Sequence, residues 1–424
     1  MPGHDSHAAV IAAVDADRDA TVRLLQSLVR VPSVTGDEGA VQDVVEAAFR
    51  DRGLAVDRWE ATPEEVRPYL EHVGEQPRYA GRPNVVGTLP GAGDGRSILL
   101  NAHVDTVENG DLARWSHDPL GGEVDGDLLF GRGSCDMKGG LVTYLAALDA
   151  LAAVGIRLAG NIRIAATVGE EDGGLGALST VLRGYRADAA LITEPTRLAL
   201  VPAQAGSLVI RLTVTGKAAH GASRDEGVSA VEKFIPLFQD LLAYEAERNA
   251  RLDHPRFAHL ANKVPISIGV VRAGIWPSTV PETLVAEGRI GLLPGEDMAT
   301  FQEEVRDRIL GAASRDPWLR EHPPLVEWFS GQFVPAETAV DAPICRAVIR
   351  AHKAVTGSPP AVEGVPYGAD MRLFSLFGGM PCVMYGAGDV AVAHQVDEHI
   401  RISDLLTAAK TIALLLLDWC GAAA

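Results

Sequence analysis

The chain has 424 residues, 47% hydrophobic and only 5% aromatic. That is too long for one ordinary core, since single cores stop growing near about 250–300 residues, and two domains are expected. Thirty-eight basic against 56 acidic residues leave a net charge of −18, which repels phosphate backbones and anionic lipid heads and argues against nucleic acid and membrane surfaces as partners.

The first residues carry no basic segment followed by an apolar run, so no signal peptide is expected. Val22, Leu25 and Val29 repeat at helical spacing, and Pro32 stops that helix. Residues 61–83 read as a polar loop. Ser97 to Asn101 reads as a buried strand leading into His103 and Asp105. A helix is expected over Leu141 to Val154, then strands over Asn161 to Val168 and Ala189 to Thr193. This order predicts an α/β domain with a mostly parallel sheet flanked by helices. From Ser207 to Thr215, Leu208, Ile210, Leu212 and Val214 alternate with more polar neighbours, as in a half-exposed antiparallel strand. A helix from Ser229 to Ala246, strands at Pro265–Val271 and Leu284–Leu292, and a helix over Met298 to Leu310 complete a compact α+β unit. From Ala342 the α/β pattern returns and ends in a helix over Ile402–Cys420. One domain interrupted by another is the simplest account. The longest apolar stretch, Ile412 to Leu417, is far below the roughly 20 residues that span a bilayer. Four cysteines, none arranged as CxxC, suit reduced thiols. A soluble cytoplasmic protein is expected.

Residues able to hold metal cluster where strands end: His103 and Asp105 in NAHVDTV, Asp136 in GRGSCDMKGG, Glu170 and Glu171 in TVGEEDGG, Glu194 in ITEPT and His394 in GDVAVAHQVDEH. In open α/β sheets, ligands bind beyond the carboxyl ends of the strands. Two imidazoles with several carboxylates suit Zn²⁺ or a similar divalent ion. One carboxylate can bridge two ions, and another that binds no metal can hold a proton. Cys135 adjoins Asp136 but reads as a small buried residue. GAGDG at 91–95 lacks the context of a phosphate-binding loop.

The series HVDT, GRGSCDMKGG, GEED, TEPT and a late AH closely resembles the M20 metallopeptidase and amidohydrolase family. NKVPISIGVVRAGIWPSTVP and EGRIGLLPGE bring it nearest the acetylornithine deacetylase and succinyl-diaminopimelate desuccinylase branch. The resemblance implies a metal-binding catalytic domain over residues 1–205 and 322–424. Residues 206–321 would form an inserted, ferredoxin-like lid through which a homodimer assembles. It implies two divalent ions, Zn²⁺ first, with Co²⁺ or Mn²⁺ as alternatives. His103 and Glu194 would bind the first ion, Glu171 and His394 the second, and Asp136 both. Glu170 would be the general base for a metal-bridged hydroxide, and Asp105 would hydrogen-bond His103. His220, in GKAAHGA, would reach a partner's site and stabilise the oxyanion. Arg289 would meet a substrate carboxylate, and the Asp136–Met137 peptide would be cis. GVPYGADMRLF at 364–374 departs from the family's Gly-Thr-Asp or Gly-Ser-Asp run, and WSHDP at 115–119 lies near the mouth in relatives. Asp370 and Arg372 are therefore candidate substrate contacts. The implied substrate is a small N-acyl amino acid or amine, N-acetylornithine first. A dipeptidase or carboxypeptidase, or a deformylase of another small amide, is the alternative.

Overall fold

The computed structural model describes residues 4–76 and 78–423, and the chain builds two bodies with separate cores. Among the described residues, nine strands form the larger sheet. Its middle is parallel: Ile162–Thr167, Ile98–His103, Ala190–Ile192 and Cys382–Met384 lie side by side in that order. Ala55–Glu60 and Pro83–Leu89 extend one flank antiparallel, and Leu200–Gln204 with Ala336–Glu337 extend the other. Every residue of Ile98–His103 is buried, as expected where helices cover both faces of a parallel sheet. Helices Gly139–Ala153 and Ile402–Cys420 pack on each other and are buried almost all round.

Register puts the functional ends together. His103 pairs with Thr167 and Asn101 with Ile192, so the loops carrying Asp105, Glu170, Glu171 and Glu194 leave the sheet at one edge. A further small sheet joins His399–Arg401 to Leu128–Phe130 and draws the segment after His394 against the one before Asp136. Close approach explains one glycine here. A Cβ on Gly140, in the first turn of its helix, would lie 2.2 Å from the Thr193 hydroxyl.

The inserted unit runs strand Gly206–Thr215, helix Ala230–Arg251, strands Ile266–Ala273 and Thr283–Leu292, helix Met298–Ala313 and strand Leu325–Trp328. These strands pair only antiparallel, with Gly206–Thr215 and Thr283–Leu292 central, the ferredoxin-like pattern. Leu208, Ile210, Leu212 and Val214 are buried and their neighbours are not. They pack with Phe234, Leu241, Phe301 and Val305 from the two helices. The fourth strand lies beyond residue 321, where the sequence placed the end of the insert. It was missed because only four residues, LVEW, carry it. The expected loop over 61–83 holds short helices at Pro63–Val66 and Leu70–Val73. The first is started by a reciprocal Thr62–Glu65 cap, a local signal that outweighs the polar composition.

Among the described residues, no helix is long and apolar enough to cross a membrane. All four cysteines are buried and free.

Candidate active site

Asp136 stands between two imidazoles. Its Oδ1 lies 3.0 Å from His103 Nε2 and its Oδ2 lies 3.4 Å from His394 Nε2. His394 Nε2 is also 2.9 Å from Glu171 Oε1. Donor atoms of His103, Asp136 and Glu171 fall within 4.8 Å of one another. Glu194 is buried within the electrostatic reach of Asp136 and His103, and its Oε1 has no hydrogen-bond partner. A carboxylate facing a different imidazole with each oxygen has the shape needed to span two cations. The orphaned Glu194 oxygen is a further free donor. This nitrogen and oxygen set fits divalent ions of the zinc type. The Asp136–Met137 peptide is cis.

The electrostatics follow from crowding carboxylates in a dry place. Burial, then the charges of Asp370 and Glu194, push Glu170 well above the usual carboxylate range. Burial and then Asp136 do the same to Glu194. Hydrogen bonds from His103 and His394 overcome burial and hold Asp136 far below the usual range. Bonds to Asp136 and Glu171 push His394 up to about 10. Cations would compensate such a set, because buried like charges are tolerated only when compensated.

Asp105 acts differently from expectation. The His103 Nδ1 faces the main-chain carbonyl of Asp105 at 3.0 Å, whereas the carboxylate is 3.6 Å away. The carbonyl sets the tautomer and leaves Nε2 to face the cluster. The carboxylate instead accepts the N–H of Glu170 on Oδ1 and the N–H of Glu171 on Oδ2, at 3.2 and 3.1 Å. Thr35 donates to it as well.

The remaining candidates separate. Asp370 is buried and neither carboxylate oxygen has a partner; burial pushes it up to about 7. Gly174 leaves room for it, since a Cβ there would lie 2.5 Å from Asp370 Oδ1. Arg372, expected beside it at the substrate, is wholly buried. Its guanidinium donates to the carbonyls of Ala369, His72 and Gly173 and lies over the Phe333 ring. It braces the loop after Glu170 and Glu171. Arg289 reaches out of the lid to the Pro366 carbonyl at 3.1 Å, with its Nε unpartnered. His220 is exposed on the lid; its Nδ1 accepts the Ala222 N–H. Within one chain it makes no hydrogen bond to the cluster. Beside His394 opens a cavity of about 590 Å³ bordered by Glu108, Asp111, Arg114 and Arg132. Cys135 is buried and its thiol is pushed up by burial, which suits the inert role expected of it. Arg132 and Glu398, which lie inside the GRGSCDMKGG and GDVAVAHQVDEH runs without having been assigned a role there, form a buried ion pair next to Asp136.

A parallel sheet ending in imidazoles and carboxylates, with a lid inserted beside it, defines a metal-dependent hydrolase. The family model for peptidase family M20/M25/M40 matches residues 99–418, and the chain belongs to that family, whose relatives act on amide bonds. It is 26% identical over 434 residues to N-formyl-4-amino-5-aminomethyl-2-methylpyrimidine deformylase of Halalkalibacterium halodurans, covering 97% of each chain. It is 28% identical over 399 residues to succinyl-diaminopimelate desuccinylase of Methylobacterium radiotolerans, covering 91% of this chain and 93% of the relative. In fold it resembles the dipeptidase Dug1p of Saccharomyces cerevisiae, with a TM-score of 0.77, 15% identity and 99% of each chain covered.

Proposed function

We propose that the chain is a dimetal deacylase that removes a small acyl group, formyl first, from an amine lacking an α-carboxylate. The observation that carries this reading is Asp370, a buried carboxylate with two unpartnered oxygens close enough to raise Glu170. A substrate carboxylate would be repelled there. A ring amine or protonated nitrogen would be bound. Arg372, the other candidate substrate contact, is wholly buried and offers a substrate carboxylate no charge. The deformylase relative, covered end to end, acts on an aminopyrimidine of this kind by its name.

His103, Asp136 and Glu194 would hold one ion, and Asp136, Glu171 and His394 the other. Zn²⁺ is the first choice, with Co²⁺ or Mn²⁺ as alternatives. When bound, the ions supply Lewis acidity and bring the pKa of water toward neutrality. Glu170 takes the proton of the attacking water and delivers it to the departing amine nitrogen. Asp105 fixes the main chain of Glu170 and Glu171. His220 donates to the developing oxyanion from a second copy, which makes the protein a homodimer through its lid. Support comes from the lid itself: Ile275 is 96% and Trp276 68% exposed, and the main chain of His220 pairs with nearby Thr279. An exposed apolar tip of this kind is suited to burial against another copy. The acidic surface and the free cysteines suit a cytoplasmic enzyme.

A second reading is an N-acyl amino acid deacylase with Arg289 gripping the carboxylate. Its half-buried fork, with the Nε unpartnered, favours it. The test is a mass-detected panel with metal-loaded protein. N-formyl-aminomethylpyrimidine should exceed N-acetylornithine and N-succinyl-diaminopimelate in kcat/KM by at least about 10-fold, a difference of roughly 1.4 kcal/mol. Faster turnover of the amino acid derivatives would select the second reading, and faster turnover of dipeptides would overturn both.

A further inference from the structure

We propose that Glu398 and Arg132 are a positioning pair that fixes the main chain of Asp136 and latches the His394 segment to it. The inference rests on the metal-site reading above. Glu398 is 1% and Arg132 4% exposed. Glu398 Oε1 accepts the N–H of Cys135 and the N–H of Asp136, both at 3.1 Å. Its Oε2 accepts from Arg132 Nη1 at 2.7 Å. Arg132 Nη2 donates to the Glu108 carbonyl, and the guanidinium lies 5.2 Å from the Trp115 ring. The Glu398 carbonyl accepts the Gly131 N–H at 2.9 Å. One residue thus ties the chain four positions after His394 to both ends of the segment 131–136.

The arrangement repeats the one at Asp105. Each carboxylate accepts the N–H groups of two successive residues, 170 and 171 for Asp105, 135 and 136 for Glu398. Each pair includes a residue of the imidazole–carboxylate cluster. A carboxylate that caps two adjacent amides sets the direction of the side chains they carry. Both also place negative charge behind the cluster without joining it. A buried ion pair is a poor way to gain stability compared with apolar packing. Partners behind a metal's ligands, by contrast, orient those ligands and raise their affinity. Arg132 extends the same hold to the loop from Glu108, which borders the cavity beside His394.

The experiment titrates the full chain, stripped of metal by chelation, with Co²⁺. Visible absorption and bound-metal analysis are followed, and kcat and KM are measured on one hydrolysed substrate. The parent should bind two Co²⁺; if it binds none, the metal-site reading fails first. Glu398→Gln keeps the size and loses the charge. It should weaken at least one Co²⁺ site by about 10–100-fold and alter the absorption bands. It should lower kcat with KM within about twofold, since a displaced Asp136 affects the transition state more than substrate binding. A Glu398→Gln protein with parental Co²⁺ affinity and spectrum, or one that loses only thermal stability, overturns the proposal while leaving the metal reading intact. Should Glu398→Gln not fold, Arg132→Lys carries the test. Co²⁺ binding weaker by about 3–10-fold supports the pair, and parental binding overturns it.

Discussion

In the catalytic body, Glu170, Glu194, Asp370, Arg372 and Lys138 are buried, and among the described residues none of them has an opposite charge in ion-pair contact. Among the described residues Lys138 donates to the carbonyls of Leu28 and Val31, and burial pushes it down to about 7. In the lid the charges meet in pairs, most of them half-buried or exposed: Arg211 and Arg272 with Glu287, Arg308 with Asp240 and Glu247, Lys233 with Asp316, and the buried Arg248 with Glu296. Exposed pairs of the second kind contribute about 0–1 kcal/mol each. Buried unpaired charges cost several kcal/mol and persist only where something compensates them. The contrast locates the chemistry. The body keeps ionisable groups at high free energy around a place for cations and substrate, and the lid arranges its charges for solubility and shape.

Removing a high-energy group from the body should therefore change catalysis far more than stability. Glu170→Gln should lower kcat by about 10²–10⁴-fold with bound metal unchanged, read by steady-state kinetics and metal analysis. Parental kcat would remove Glu170 from the role of base. The lid breaks the pattern at one residue. His220→Ala should lower kcat by about 10²–10³-fold although His220 is exposed on the lid and makes no hydrogen bond to the cluster within its own chain. Mixing the inactive Glu170→Gln and His220→Ala proteins pairs one intact base with one intact donor, so subunit exchange should restore about a quarter of the parental activity. A mixture as inactive as its parts would place His220 outside the reaction.

Gly140→Ala sharpens the comparison in free energy. Its Cβ would meet the hydroxyl, Cβ and main-chain carbonyl of Thr193, the residue after the strand Ala190–Ile192, on a face where the helix is buried. A loss of about 1–3 kcal/mol in denaturant unfolding is expected. A neutral result would show that the body packs more loosely there than its geometry indicates.

The two regions also differed in how far sequence alone revealed them. The lid's first strand announces itself by alternation, and the helix Ile402–Cys420 was bounded to the residue by its apolar run. His103, Asp136, Glu171 and His394, which the structure draws together, stood out in the sequence because they follow apolar strands or glycine turns in short motifs. Glu398 was not legible. It acts on amides more than 260 positions away, and no local spacing encodes that. Arg372 misled for a related reason: a charged residue beside a pocket motif reads as a substrate contact until its carbonyl partners, His72 and Gly173, arrive from distant loops. The true partner of His103 was also hidden, since a main-chain carbonyl carries no sequence signature.

The smallest expected effect belongs to the lid's ordinary charges. Asp316 starts the helix Pro317–Glu321, accepting the N–H groups of Trp318 and Leu319, and pairs with Lys233 at 2.7 Å. Burial opposes its ionisation, but the bonds from Lys233 and those two amides hold its pKa below the ordinary 3.8. The folded state therefore binds fewer protons than the unfolded chain in acid, and stability rises with pH across that range. The contribution is complete above pH 3.8 and is lost as the pH falls through the lower, folded-state value. Asp316→Ala should cost about 1 kcal/mol at pH 7, most of it from the lost cap, since solvent screens the ion pair. The gap from the parent should begin to narrow below pH 3.8 and close as the pH falls through the lower folded-state value, where the parent loses its charge too. Denaturant titrations at the two pH values, read by intrinsic fluorescence, decide it. A gap that stays constant from pH 7 to pH 3 would mean that Asp316 caps its helix without its charge contributing.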